Sequence, residues 1–366
     1  VRFSKEAKAP PIPKRETVPA HTDSSVAAMN EGLRLVAKLP TPRFAVAMAE
    51  GTRENAQVYV RGSHRSLGEG VPPRFLEALG GEQGTRLDLA HQIAHRDNPL
   101  TSRVIVNRIW HHLFGRGLVS SVDDFGPMGQ TPTHPDVLEW LASDFVDLGW
   151  SMKYTILVLV LRQASASHPY VSPGHLAEVD PSNELLSKMP VKRLTGEAIR
   201  DSILAVSGQL DPVRYGPSVA THRTAFMTGR GGRESGPLDG EGRRSLYGAV
   251  YRNFLSPFML TFDVPSPFGP KGRRSVSNVP AQALVLMNDP FVVEQSRFWG
   301  ERIAAKSEPD ATELRDMFLT AVGRGPREAE VTKVVEFLED SEGKPEDRWA
   351  QVAHVLLNTK EFIFIP

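Results

Sequence analysis

The chain has no cysteine. That absence excludes disulfides, thiolate metal sites, a cysteine nucleophile and covalent haem attachment through a CxxCH pair, and it leaves the compartment open. Net charge is missing as well. Lys plus Arg and Asp plus Glu each number 43 in 366 residues, so no global field draws the molecule onto an anionic polymer or membrane, and nucleic acid is not an expected partner. Long apolar runs are also absent. The most apolar stretch, Ile156 to Leu161, is far shorter than a membrane span and reads as a core segment. No charged-then-apolar leader opens the chain at Val1, so no signal peptide is expected in it, and a mature product or a piece of a longer protein is. The usual catalytic signatures are lacking too. There is no GxSxG elbow, GRGGRESG lacks the Gly-Lys-Ser/Thr of a phosphate loop, and Gln92 stands where HExxH would need its glutamate.

What is present is mainly helical patterning. Asn98 is placed to cap a helix whose first turn holds Pro99, and Val104, Ile105, Ile109 and Leu113 make an apolar stripe before Gly115 and Gly117. Further helices are expected over about 85–95, 135–148, 152–163 and 196–207. Thr133 with Asp136 suggests a capping box for the second of these, and Thr195 and Gly208 bracket the last. Helices are also expected over 280–286, 290–306, 311–322, 327–339 and 346–362. A small β element is expected near the N-terminus, from Phe44–Met48 and Gln57–Val60, with RGSHRSLGEGVPPRF after it as loop, and 245–252 reads as a short β segment mid-chain. The expected organisation is a linker or entry segment over 1–41, a helical domain with its β element over 42–278, and a C-terminal helical subdomain over 279–366 packed on it. The glycine-rich 221–242 stretch reads as a mobile loop.

Polar groups crowd the apolar helices. Arg103, Asn107, Arg108, His111 and His112 lie in the 99–114 helix, and Asp123 and Asp124 follow it. Guanidinium forks match carboxylates in bidentate geometry, so Arg103 and Arg108 have Asp123, Asp124 or Asp144 as candidate partners. The set Arg103, Asn107, Arg108, His112, Asp124, His134, Glu197, Arg200, Asp201, Arg252 and Asp263 is therefore either a structural network or a ligand-binding cleft, and a buried polar network occurs at both kinds of place. His134 also reads as a helix-start residue. Trp110, Trp140 and Trp150 read as core before they read as sugar platforms. His91 and His95 are four apart on one helical face, the spacing with which two imidazoles hold a metal. They are weak candidates, and no metal site is expected.

Several runs occur together and in order: NPLTSRVIVNRIWHHLFGRGLVSSVDDFG, THPDVLEWLASDFVDLGWSMK, VKRLTGEAIRDSILAVSGQLD, RRSLYGAVYRN with FDVPSP, and SVSNVPAQALVLMNDPFV. Over roughly 42–366 they resemble the planctomycete cytochrome-c-associated domain of unknown function 1553, whose fellow domain 1549 and a haem-binding cytochrome c domain sit upstream in large exported proteins. LRQASAS, over 161–167, departs from the Thr-Tyr-Arg-Gln-Ser pattern usual in that family. The resemblance implies a mostly helical fold, an exported location, and partners that are upstream domains of the same polypeptide or a separate protein. It also implies that haem belongs to an upstream domain, with no cofactor in this chain. It carries no established reaction. The leading expectation is accordingly a C-terminal helical module with a binding or assembly role beside haem-bearing or catalytic domains. The alternative is an enzyme acting on an extracellular carbohydrate polymer through the Arg/Asp/His set, with polysaccharide as its partner.

Overall fold

The computed structural model describes residues 23–38, 48, 51, 54–77, 81, 83–166, 178, 180–186, 190–224, 227, 234–269, 271–306 and 311–365. They are mainly helical, with few and short strands. The chain divides into two compact units, Val1–Ala90 and His91–Pro366.

The first unit contains helix α1 (Asp23–Lys38), inside the stretch expected as linker or entry segment, and a two-stranded antiparallel hairpin of β1 (Ala56–Tyr59) and β2 (Leu67–Val71). The strand expected at Gln57–Val60 thus exists, but its partner is Leu67–Val71, which was expected to be loop. Residues 44–47 lie outside the described set. The turn works because Arg61 and Gly62 both take positive φ, 53° and 74°, which reverses the chain early enough to bring Leu67 opposite Tyr59. Both strands are exposed along their whole length. Helix α2 (Arg86–Ile93) opens on a reciprocal cap, with Thr85 N–H donating to Asp88 Oδ2 at 2.7 Å and Asp88 N–H to Thr85 Oγ1 at 3.1 Å.

The second unit holds two hydrophobic cores. The smaller is built by α3 (Thr101–Phe114), α4 (Pro135–Asp147) and α5 (Met152–Ala166), around Val106, Ile109, Phe114, Leu118, Val119, Leu138, Leu141, Phe145 and Leu159. Asn98 closes the turn that leads into α3, its Oδ1 accepting from Leu100 N–H at 2.9 Å and Thr101 N–H at 3.2 Å, but Pro99 lies in that turn and not in the helix, Leu100 stands at the cap position without a side-chain cap, and Gly115 ends the helix at φ 80°. At α4 the expected capping box does not form. The helix starts at Pro135 with His134 in the cap position, which leaves Asp136 too close to the start, and the Thr133 hydroxyl turns instead to the Leu118 carbonyl. The apolar run of α5 is not the core segment its composition suggested. Leu159 is buried, while Ile156, Leu157, Val160 and Leu161 are all exposed.

The larger core is formed by α6 (Gly196–Ser207), α7 (Pro257–Thr261), α8 (Pro280–Asn288), α9 (Pro290–Ala304), α10 (Ala311–Val322), α11 (Glu328–Asp340), α12 (Pro345–Leu357) and α13 (Lys360–Ile363). Its axis is the pairing of α9 with α12. Gly300 permits the approach, since a Cβ there would stand 2.3 Å from the Ala350 nitrogen. Trp299, Ile303, Val352, Ala353 and Leu357 fill the surroundings. Thr195 and Gly208 cap α6 at its two ends, as their sequence positions suggested. The single helix expected over 346–362 is two, because Asn358 turns its amide to the carbonyls of Leu286 and His354 and stops α12. The chain then ends in β4 (Phe364–Ile365), which pairs antiparallel with β3 (Lys192–Arg193). The mid-chain segment 245–252 is not a strand. It forms a 3-10 turn over Ser245–Tyr247 and single bridges from Gly248 to Val219 and from Tyr251 to Phe254.

Candidate functional site

The polar residues singled out by sequence are distributed over several separate hydrogen-bonded assemblies in the second unit. In the three-helix core, Arg103 forms a two-pronged ion pair with Glu139 of α4, with Nε donating to Oε1 at 2.6 Å, and its remaining nitrogen reaches the Pro99 carbonyl. The partner is therefore Glu139 and none of Asp123, Asp124 or Asp144. The pair is part-exposed, with side-chain exposures of 31% and 54%, so solvent screens it. Asn107 is fully buried and reads the backbone of Val119 from both sides, its Nδ2 donating to the carbonyl at 3.0 Å and its Oδ1 accepting from the N–H at 2.9 Å. That clamp fixes the loop after α3 to the helix itself. Asp124 closes its own turn by accepting from Gly126 N–H at 2.9 Å. No hydrogen bond or ion pair among the described residues joins it to Arg108, which is exposed.

A second assembly is centred on Arg193, a residue the sequence reading passed over. Its side chain is 3% exposed and donates to the Ser277 carbonyl at 2.8 Å, the Phe262 carbonyl at 3.3 Å and Asp263 Oδ2 at 2.7 Å. Asp263 also accepts from the Ser277 N–H and hydroxyl, and Gln282 donates to the Ser277 carbonyl and hydroxyl. Burial pushes the Asp263 carboxyl up, but the Ser277 and Arg193 hydrogen bonds outweigh it and hold the group below its ordinary value. This network ties β3 to the ends of α7 and α8.

A third assembly locks the chain around 239–245 onto α6. Arg200 donates to the carbonyls of Arg243, at 2.9 Å, and Asp239, and to the Ser245 hydroxyl at 3.1 Å, with its guanidinium 5.6 Å from the Phe291 ring centre. Asp201 accepts from the Ser245 N–H and hydroxyl, both at 2.7 Å. Burial lowers the Arg200 pKa, as desolvation of a cation must. Parts of 221–242 are thus fastened, while 225, 226 and 228–233 lie outside the described residues. Glu197 pairs with Arg274 at 2.6 Å, and although burial pushes its carboxyl up, Arg274, backbone and Thr195 hydrogen bonds bring it below the ordinary value.

The remaining candidates do not join these groups. His134 touches the Thr133 hydroxyl at 3.0 Å, Arg252 is exposed, and His91 and His95 are exposed on α2 and just beyond it, His95 beside Asp97. Among the described residues no group of three His, Cys, Asp or Glu is placed to hold a metal ion. Of the tryptophans, Trp110 packs on Phe114 and Trp150 on Phe145, while Trp140 is half exposed under Arg162. A residue the sequence reading missed is Asp289, which caps α9 through the Phe291 N–H at 2.9 Å and whose carboxyl is pushed up by burial. Its position before Pro290 at a helix start was the available signal. An apolar cavity of about 250 Å³ lies among α10, α11 and α12, lined by Phe318, Val334, Phe337, Val352, Val355 and Leu356, and it contains none of the candidate residues.

One face gathers several cations. His111 and His112 lie side by side at the end of α3, with ring centres 5.5 Å apart, and Lys192 Nζ donates to the His112 carbonyl at 2.9 Å. Burial lowers the pKa of both imidazoles, and the nearby charges of Arg108 and Lys192, together with Arg273 for His111 and Arg274 for His112, lower them further.

Fold and site together define a mainly helical protein in which several embedded polar side chains are hydrogen-bonded to one another and to backbone. The chain belongs to the family described as PSD1, protein of unknown function (DUF1553), whose model matches residues 85–338. No curated protein and no solved structure matches it. Among the described residues no helix is long and apolar enough to cross a membrane.

Proposed function

We propose that the chain is a binding or assembly module, the C-terminal helical part of an exported multidomain protein, docked beside upstream haem-bearing or catalytic domains or a separate partner. The observation that carries this reading is α5. A helix apolar on all sides is expected to be buried on all sides, yet Tyr154, Ile156, Leu157 and Val160 are exposed while Leu159 faces the core. Contiguous apolar surface of this kind is characteristic of docking faces. Internal pairing of the polar set supports the same reading, because Asn107, Arg193, Arg200, Asp201 and Asp263 are engaged by neighbours in the fold instead of converging on an open cleft.

The experiment is to titrate the chain with the separately produced upstream domain of type 1549 and to repeat it with Leu157→Asp. Association weakened about tenfold or more by that exposed substitution, with an unchanged melting temperature, is the expected result. Release of reducing ends from an extracellular polysaccharide, abolished by Asp124→Asn without loss of stability, would replace this reading with the enzyme one.

A further inference from the structure

The sequence elements that meet at the C-terminal end of α3 are cationic out of proportion to a chain whose net charge is zero. Arg108, His111 and His112 come from α3, Lys192 from β3, and Arg273 and Arg274 from the loop before α8. Three contacts bring them together. Lys192 Nζ bonds the His112 carbonyl at 2.9 Å. Arg274 reaches Glu197 at the start of α6 at 2.6 Å. Gly272 sits so close to the loop after α3 that a Cβ there would stand 2.2 Å from Asp123 Cβ.

The charges in this cluster are not equally free. Lys192 is held by the last carbonyls of α3, where a cation is favoured by the helix dipole. Arg274 is held by Glu197. Arg108 and Arg273 are exposed, and neither forms a hydrogen bond or ion pair among the described residues. His111 is half-buried, and its Nδ1 has no hydrogen-bond partner among them. Carboxylates near these elements include Glu197, already paired, Glu184, which pairs with Arg116 just past α3 at 2.9 Å, and Asp123, exposed at the edge beside Gly272.

We propose that Arg108, His111, His112 and Arg273 form a binding site for a tetrahedral oxyanion, a phosphate or sulfate group, on the surface of the second unit. The inference rests on the binding reading above and names the chemistry of one ligand. A lone carboxylate has two oxygens in one plane and is matched by the fork of a single arginine. Two guanidiniums and two imidazoles arriving from two separate elements suit an anion that presents three or four oxygens in three dimensions and more than one negative charge. With both imidazoles depressed, the empty site holds them neutral near pH 7, and an incoming dianion favours their charged forms. Binding therefore tightens as pH falls toward the imidazole range and weakens with salt.

The test uses the whole chain with inorganic sulfate, inorganic phosphate, and dextran sulfate against uncharged dextran, at matched ionic strength set with chloride. Calorimetric titration at pH 6 and pH 8 is expected to show sulfate binding that is tighter at pH 6, sulfate being a dianion at both. Arg108→Ala with Arg273→Ala is expected to weaken it about tenfold or more, whereas Arg327→Ala, an exposed cation elsewhere, leaves it unchanged. NMR titration of the His111 and His112 rings in the unaltered chain is a readout independent of any variant, and both pKa values are expected to rise with sulfate. Inorganic ions binding as well as the polymer per sulfate group assign the site to a free ion, and a polymer bound far more tightly assigns it to an ester on a glycan. Oxyanion binding absent at both pH values, binding that survives the double variant, or imidazoles indifferent to sulfate would overturn the proposal. Loss of α5-dependent docking with oxyanion binding intact would instead sink the assembly reading alone.

Discussion

The two cores of the second unit differ in size and in how fully their helices are covered. Around α9 and α12 the helices approach until Gly300 meets the Ala350 backbone, and the interior holds Trp299, Met317, Phe262 and Leu357, each at most 2% exposed. Polar side chains tie this core together as well, Ser207 bonding Gln295 at 2.7 Å and Arg193 holding the Phe262 carbonyl and Asp263. The three-helix core of α3, α4 and α5 is smaller and is completed by side chains that hold backbone: Asn107 on Val119, Arg103 on Glu139 and Pro99. One of its helices, α5, leaves apolar side chains in solvent, and near the end of α3 Arg108 is exposed with no hydrogen bond or ion pair among the described residues. The contrast is one of size and cover: the larger core closes around buried aromatic side chains, and the smaller one leaves much of α5 exposed.

The largest effect expected from breaking the comparison is in the C-terminal core. Trp299→Ala removes a side chain that is 1% exposed and should cost about 3–5 kcal/mol, read from urea melts. Hydrogen exchange should then sharpen the contrast, with α9 and α12 amides protected to the level of global unfolding and α5 amides exchanging through smaller openings. Similar protection in all three would remove the distinction between the cores.

Next in size is Asp263→Ala, which leaves the buried Arg193 guanidinium without its carboxylate and should cost about 3 kcal/mol. Changing Arg193→Met in the same chain should recover part of that loss, because no charge is then stranded. A double variant as unstable as the sum of the singles would mean the pair is not one unit.

In the three-helix core the expected cost is smaller. Asn107→Leu keeps the bulk and strands the N–H and C=O of Val119, for about 2 kcal/mol by thermal or denaturant melts. A loss as large as that of Trp299→Ala would show that the polar clamp, not the apolar contacts, holds this core.

The smallest effect belongs to the surface. Hydrogen bonds from Arg324 overcome burial and, with the Arg327 backbone N–H and the two cations, hold the Glu330 carboxyl at about 2. Being depressed in the fold, it contributes stability that is present above its ordinary carboxylate value and is lost as pH falls toward about 2. The side chain is 30% exposed and solvent-screened, so Glu330→Gln should cost no more than about 1 kcal/mol at pH 7. Melts across pH 2 to 7, values spanning about that window, should show the difference between variant and parent shrinking toward the acid end.

Helical periodicity, cap residues and helix-stopping glycines were enough to place α3, α4, α6, α8, α9, α10 and α11 close to their observed positions, because those signals act within a turn or two of chain. Thr195 and Gly208 cap where their chemistry says they should, while Asn98 holds the turn just before α3. The sequence also established the lack of thiol chemistry and of net charge, both properties of composition. Three-dimensional neighbours decided the rest. Arg103 has Asp residues near it in sequence, yet its partner is Glu139, 36 positions away. Arg193 had no reason to be singled out until Phe262, Asp263 and Ser277, some 70 to 84 positions on, closed around it. The apolar run of α5 looked like core because composition records affinity for burial, and whether burial is achieved depends on which helices arrive to cover it. Local conformational preference is encoded within a few residues, whereas pairing, burial and the meeting of cations at the end of α3 depend on distances between segments that only the folded chain defines.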